Sequence, residues 1–381
     1  MLKLKTQPSE QTKEMFKQVF GHSLGNVAET GDIYKEDFKE GFSLNLSTKD
    51  ILYLILAVTL IICTLIIFGS AGVFYGIILV SIVMAFMPSK LKKSKSSKKS
   101  ANAYKMKNEF IKPLLKKAYG FTYPDNIKNV KLDFKYSAFY KILKRSVVED
   151  YFYGKVDDNI HLEFIDFKRF GSSTISTSSR DKQTPYEATA VVLTMPFKFD
   201  SYTAITTKSS SLLTSNNILQ LATKSLAMLV EKHLSVVIPE IKKKGAPKVN
   251  LDSQKLAEIC NVYSDNVHDA YYLLSPAFID RFIELKRYCM KTIIPGAENM
   301  PEAYGDSMIP APIEMEFIGN KVVILFPVNY DFIDCVLESE DVSDAKAVVI
   351  IENQIALISN LVSQLKLDYL TDRKQAYNKI K

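Results

Sequence analysis

The sequence has no tryptophan, only four cysteines and four histidines, and no charge at all over one stretch of thirty-eight residues. Each scarcity removes a class of protein. Cys63, Cys260, Cys289 and Cys335 are widely spaced with no CxxC pair, which excludes a disulfide scaffold and fits buried free thiols in a reducing compartment. His22, His161, His233 and His268 never stand at metal-ligand spacing, so no metal is expected, and no cofactor either. The phosphate-cradling GxxxxGK and GxGxxG loops, HExxH, GxSxG and the HRD and DFG pair are all missing. A formal SxxK at Ser179 to Lys182 lacks its partner motifs and is read as chance.

What is present is a chain of 381 residues, 47% hydrophobic, long enough for one or two globular units. The net charge of +7 is localised: residues 89–130 carry twelve Lys against Glu109 and Asp125, and the rest is close to neutral. A nucleic-acid binder spreads its basic residues over a folded face, so no nucleic-acid partner is expected. The uncharged run, residues 51–88, would be about 57 Å long as one helix, against a hydrocarbon core of about 30 Å. Gly69-Ser70-Ala71-Gly72 near its centre reads as a turn, giving two minimal spans at about 51–68 and 73–88. Lys90, Lys92, Lys93, Lys95, Lys98 and Lys99 directly follow, and a basic flank of this kind stays cytoplasmic. The expectation is a multi-pass protein with both termini in the cytoplasm, the six lysines being candidate contacts for lipid headgroups of the bilayer.

The remaining residues are expected to form an α+β cytoplasmic domain, antiparallel strands with packed helices, attached to the two-helix transmembrane hairpin. Residues 1–50 read as an N-terminal cytoplasmic segment whose Met15, Phe16, Val19 and Phe20 mark a short amphipathic helix over Glu10 to Phe20. Residues 89–120 read as a basic linker and a helix kinked at Pro113. The domain itself spans 121–365 with a candidate division near 240–250, and 366–381 is a polar tail. Within it, strands are expected over 150–207, interrupted by a polar loop at 170–186, with a helix from Asn217 to Leu234. "LAEICNVYS" reads as a strand end, Ser264 or Asp265 as the cap of a short helix, and Ser275 with Pro276 as the start of another. "IEMEFIGNKVVILFP" reads as a hairpin turning at Gly319-Asn320, and Val348 to Leu365 as one long helix with a repeating apolar seam.

The stretch "VYSDNVHDAYYLLSPAFIDRFIEL", residues 262–285, resembles the most recognisable segment of a bacterial membrane-protein family catalogued as domain of unknown function 3137. "EDYFYGKVDDNIHLEFIDF", residues 149–167, is similar to that family's earlier strand pair. The resemblance implies two adjacent spans followed by a mixed α/β domain at the bacterial inner membrane, and Tyr263, Asp265, Tyr272, Leu274 and Pro276 as motif positions without an assigned role. Where the family pattern has F-x-G before the central strand, this chain has Ala188-Thr189-Ala190.

Two functions follow as expectations. One is a non-enzymatic binding or scaffold domain tethered at the membrane, with a protein partner or a second copy as its ligand. The other is a membrane-bound enzyme with an unrecognised polar site, using Asp265, His268 and Asp269, or Glu163 and Asp166.

Overall fold

A computed structural model describes residues 5, 7–24, 104–127, 130–143, 146–157, 159–168, 188–212, 217–293, 311–326 and 344–367. Eight strands form one antiparallel sheet: β1 (Val147–Asp157), β2 (Ile160–Lys168), β3 (Ala188–Thr194), β4 (Thr203–Thr207), β5 (Lys248–Val249), β6 (Cys260–Ser264), β7 (Glu314–Ile318) and β8 (Lys321–Phe326). Their order across the sheet is β1-β2-β3-β8-β7-β4-β6-β5. Strands from either side of residues 240–250 therefore alternate within a single sheet.

Alternation along each strand sends side chains to two faces, and helices cover both. Phe152, Leu162, Phe164, Val191, Met315, Phe317 and Ile324 point to one face. Over them lie α1 (Glu10–Phe20), α2 (Lys112–Tyr119), α6 (Val267–Leu273), α7 (Pro276–Ile293), α8 (Asp344–Ser359) and α9 (Leu361–Leu365). Ile165, Phe167, Val192, Val323 and Leu325 point the other way, under α3 (Tyr140–Leu143) and α4 (Asn217–Lys243). The remaining helix, α5 (Gln254–Ile259), precedes β6.

Local chemistry explains most boundaries. Ser9 caps α1 by accepting from the Thr12 N–H, and Gly21 ends it at φ 76°. Pro113 cannot donate to the preceding turn, and the backbone answers with a π-helical turn, Met106–Ile111, rather than a simple kink. Gly319, at φ 58°, makes the β7–β8 turn where it is expected. Four sequence readings are corrected. The helix expected to stop at Leu234 runs on through Pro239 to Lys243. Gln254–Ile259 is a helix, because Ser253 accepts from the Leu256 N–H. Asn266, not Ser264 or Asp265, caps α6 by accepting from the His268 and Asp269 N–H groups. The single closing helix is broken at Asn360 into α8 and α9.

The expected two-helix transmembrane hairpin is corrected as well: among the described residues no helix is long and apolar enough to cross a membrane. The long ones are too charged, α7 carrying Asp280, Arg281, Glu284, Lys286 and Arg287, and α4 carrying Lys224, Glu231, Lys232 and Glu240. The sixteen residues of α8 reach only about 24 Å. The multi-pass placement in the inner membrane with both termini cytoplasmic loses its structural basis with it. Residues 51–88, the lysines from Lys90 to Lys99 and the loop at 170–186 lie outside the described residues.

The outer edge of β1 meets the chain again at Thr122, which exchanges both backbone hydrogen bonds with Tyr153 at 2.7 and 3.0 Å. This close approach is possible because residue 154 is glycine. A Cβ there would stand 2.6 Å from the Phe121 ring, 3.1 Å from the Gly120 carbonyl oxygen and 3.3 Å from the Phe121 Cα. Phe121 is fully buried and continues into Phe152 and Phe164, with ring centroids 5.3 and 4.4 Å apart. Gly154→Ala is expected to destabilise the chain by about 1–3 kcal/mol through overpacking. Urea denaturation measures it, and an unchanged midpoint would show that Phe121 does not press on this position.

Candidate functional site

Two polar constellations meet at the end of the sheet where β4, β6 and β7 lie side by side. The first is buried. Lys286 of α7 is fully enclosed, and its Nζ donates to Thr207 Oγ1 and to the Ile313 carbonyl, both at 2.8 Å. Thr207 hands the contact through the sheet: its N–H donates to Glu314 Oε1 at 3.3 Å, and Glu314 Oε2 lies 2.5 Å from His233 Nε2 on α4. A cation above the sheet and an imidazole below it are thus joined through one threonine and one carboxylate. Burial lowers the Lys286 pKa, with Cys260, Glu314 and Cys289 pulling the other way. Burial likewise pushes the thiols of Cys260 and Cys289 up, so both are poorly nucleophilic.

Next to Glu314 on the same face of β7 stands Glu316, also fully buried. Its carboxylate accepts from the Ala138 N–H at 2.9 Å and from the Ser137 hydroxyl. Burial raises its pKa despite these bonds and the nearby Lys244 charge. The Glu316 charge adds to burial in raising the Tyr202 phenol.

The second constellation is open. A cleft of about 150 Å³ lies where β5 leaves β6 after two residues, walled by Val249, Leu251, Leu256 and Val262 and floored by Cys260. Lys208 and Lys248 line it and no carboxylate does. Lys208 is held there because its Nζ donates to the Ala257 carbonyl at the end of α5. Asn261 also lines the cleft, and its Oδ1 is enclosed without a hydrogen-bond partner. Beyond the rim, Tyr271 of α6 donates its hydroxyl to the Asn250 carbonyl at 3.2 Å. With Val267 and Tyr272 it forms an exposed patch, the three being 47, 42 and 41% accessible as Val267, Tyr271 and Tyr272.

The motif positions expected from sequence divide between structure and surface. Tyr263 is buried on the α4 face beside Glu314, and Leu274 is buried beneath α7. Pro276 opens α7, where the Phe278 N–H donates to Ser275 Oγ at 3.4 Å. Asp265 accepts from the Tyr202 N–H at 2.9 Å and so ties the β6 turn to β4. Tyr272 lies in the exposed patch. The Asp265, His268 and Asp269 group does not converge: Asp265 is committed to Tyr202, while the backbones of His268 and Asp269 share the Asn266 cap. Glu163 and Asp166 face opposite sides of β2, bonded to Tyr151 at 3.1 Å and Thr189 at 2.8 Å. Among the described residues no group of three His, Cys, Asp or Glu side chains is placed to hold a metal ion. Lys286, Glu314, Glu316 and the cleft lysines carry no sequence motif, and spacing alone does not mark them.

No family model, curated protein or solved structure matches the chain. The likeness to the family of unknown function therefore rests on the residues quoted for it.

The buried carboxylate gives a pH signature of definite sign. A folded-state pKa above the ordinary 4.5 means that Glu316 contributes stability below that value and loses it as pH rises through the raised pKa. Glu316→Gln removes the ionisation, so its unfolding midpoint is expected to gain on the wild type as pH rises from about 4.5 towards neutrality. Parallel thermal unfolding curves of the two proteins over that range would contradict the assignment.

Proposed function

We propose that the chain is a non-enzymatic binding domain whose cleft beside β5 and β6 receives an acidic segment of a protein partner. The observation that carries this reading is the cleft's lining: two lysines, no carboxylate and apolar walls. Size decides the ligand class. Cofactor and small-molecule sites begin at about 300 Å³, so a cleft of about 150 Å³ suits one side chain rather than a nucleotide or cofactor. A peptide supplies both halves of the match, a carboxylate for the ammonium groups and an apolar side chain for the walls. The neighbouring Tyr271, Tyr272 and Val267 offer the aromatic and apolar area that interfaces favour.

Among the described residues no carboxylate or histidine lines the cleft as an acid or base, which supports binding over catalysis in this reading. The Lys248 side chain is exposed at the cleft while its backbone makes the β5 pairing, so its substitution separates recognition from stability. A fluorescent peptide of Glu and Leu residues, titrated against the full chain at low salt, is expected to bind with an affinity that falls as salt rises. Lys248→Glu should weaken it about tenfold, and Lys208→Gln by a similar factor. Equal affinity in the wild type and the Lys248→Glu chain would overturn the reading.

A further inference from the structure

Among the buried charges that belong to neither constellation, Glu352 is held by the N-terminal segment. Glu352 sits in α8 among Val348, Val349, Ile351, Ile355 and Ile358, all buried, and is itself 1% accessible. A helix that only filled the core would carry an apolar side chain here. Instead the carboxylate is met from one direction, by the N-terminal segment. Oε1 accepts from Ser9 Oγ at 2.9 Å and Thr12 Oγ1 at 2.5 Å, and Lys5 Nζ stands 3.4 Å away. Oε2 accepts from the Ser9 N–H at 3.2 Å.

The next residue repeats the pattern on the main chain. Asn353 accepts from the Lys5 N–H at 2.8 Å and donates to the Lys5 carbonyl at 3.0 Å, so one amide reads both backbone groups of a residue 348 positions away. Beyond these contacts α1 inserts Met15 and Phe16, and Phe16 meets Phe110 edge-on at 5.4 Å. Main-chain reading by an amide, side-chain reading by a matched charge and an apolar anchor are the elements by which proteins hold peptides. A matched buried charge contributes selectivity more than stability, because any segment without the right donors leaves it unpaired.

We propose that the Glu352–Asn353 face of α8 is a peptide-recognition site, that residues 5–24 occupy it as an exchangeable ligand, and that the same segment of a second copy can replace them. The contacts are all non-covalent and are made by residues 5–24 alone, so a free peptide of that sequence offers the face the same donors and the same apolar anchor.

The test uses the full chain and a fluorescently labelled synthetic peptide of residues 1–24, read by anisotropy. Substituting Ser9→Ala and Thr12→Ala together in the chain weakens the resident segment, so that chain is expected to capture the wild-type peptide about tenfold better than the unmodified chain. Glu352→Gln is expected to abolish the gain when added to the same chain. A purely structural role for these residues predicts the opposite for the first variant, a loss of capture. As a measurement independent of any substitution, saturating unlabelled peptide should speed hydrogen exchange in the resident Ser9 to Phe20 of the wild type while leaving β3 and β8 unchanged. No gain in capture, or exchange of the resident segment unaltered by peptide, overturns the proposal.

Discussion

The pairing of β3 with β8 is the constraint on which the architecture depends. Thr189 to Thr194 lie against Phe326 to Lys321 in unbroken antiparallel register, and this is the one junction between the β1-β2-β3 meander and the other five strands. Because the two halves of the ladder come from distant parts of the chain, neither can close its sheet alone. The central position of β3 and β8 also means that both their faces must be apolar, and Ala190, Val191, Val192, Leu193, Val322, Val323, Ile324 and Leu325 are all buried. Helices on both sides follow from this, since each face needs a cover.

Double coverage creates the polar problem that the rest of the structure solves. β7 alternates Glu314, Met315, Glu316 and Phe317, and a half-exposed strand would turn the two acids to water. Here α4 and the segment around Ser137 close over them. Each acid is then stabilised differently, Glu314 by His233 and the Thr207 N–H, Glu316 by Ser137 and Ala138. Removing one partner from such a pair costs more than the pair contributes, which fixes the position of α4 over the sheet.

The sequence was most readable where structure is local. The spacing of Met15, Phe16, Val19 and Phe20 gave α1 to the residue, and Gly319-Asn320 between two alternating runs gave the β7–β8 hairpin. Readability failed where two local signals compete. Around Ile259 the β-branched and apolar residues read as strand, although the Ser253 cap starts a short helix there. It failed again where the decisive partner is remote: nothing within "EMEFIG" states that its acidic face lies beneath a helix that ends 71 residues before Glu314. The candidate sites suffered most from this. Lys286 and Glu352 sit on the apolar stripes of their helices, and only the folded chain brings Thr207 to one and Ser9 to the other. The uncharged run from Ile51 to Pro88 dominated expectation through composition, while the described fold owes its order to strands and charged helices.

The two ends of the sheet share a design whose effect is outward. On β1, the longest strand, Thr122 already occupies the backbone groups of Tyr153. On the other side β5 offers just two residues, introduced by Pro247, which has no N–H, and led by a charged lysine. Among the described residues, the β5 side therefore offers a neighbouring chain no long row of backbone donors and acceptors to template on, and on β1 the pairing at Thr122 interrupts the row near its middle. Edge-to-edge stacking of copies is opposed at both ends of the sheet, which favours association through side chains, where it can be selective and reversible.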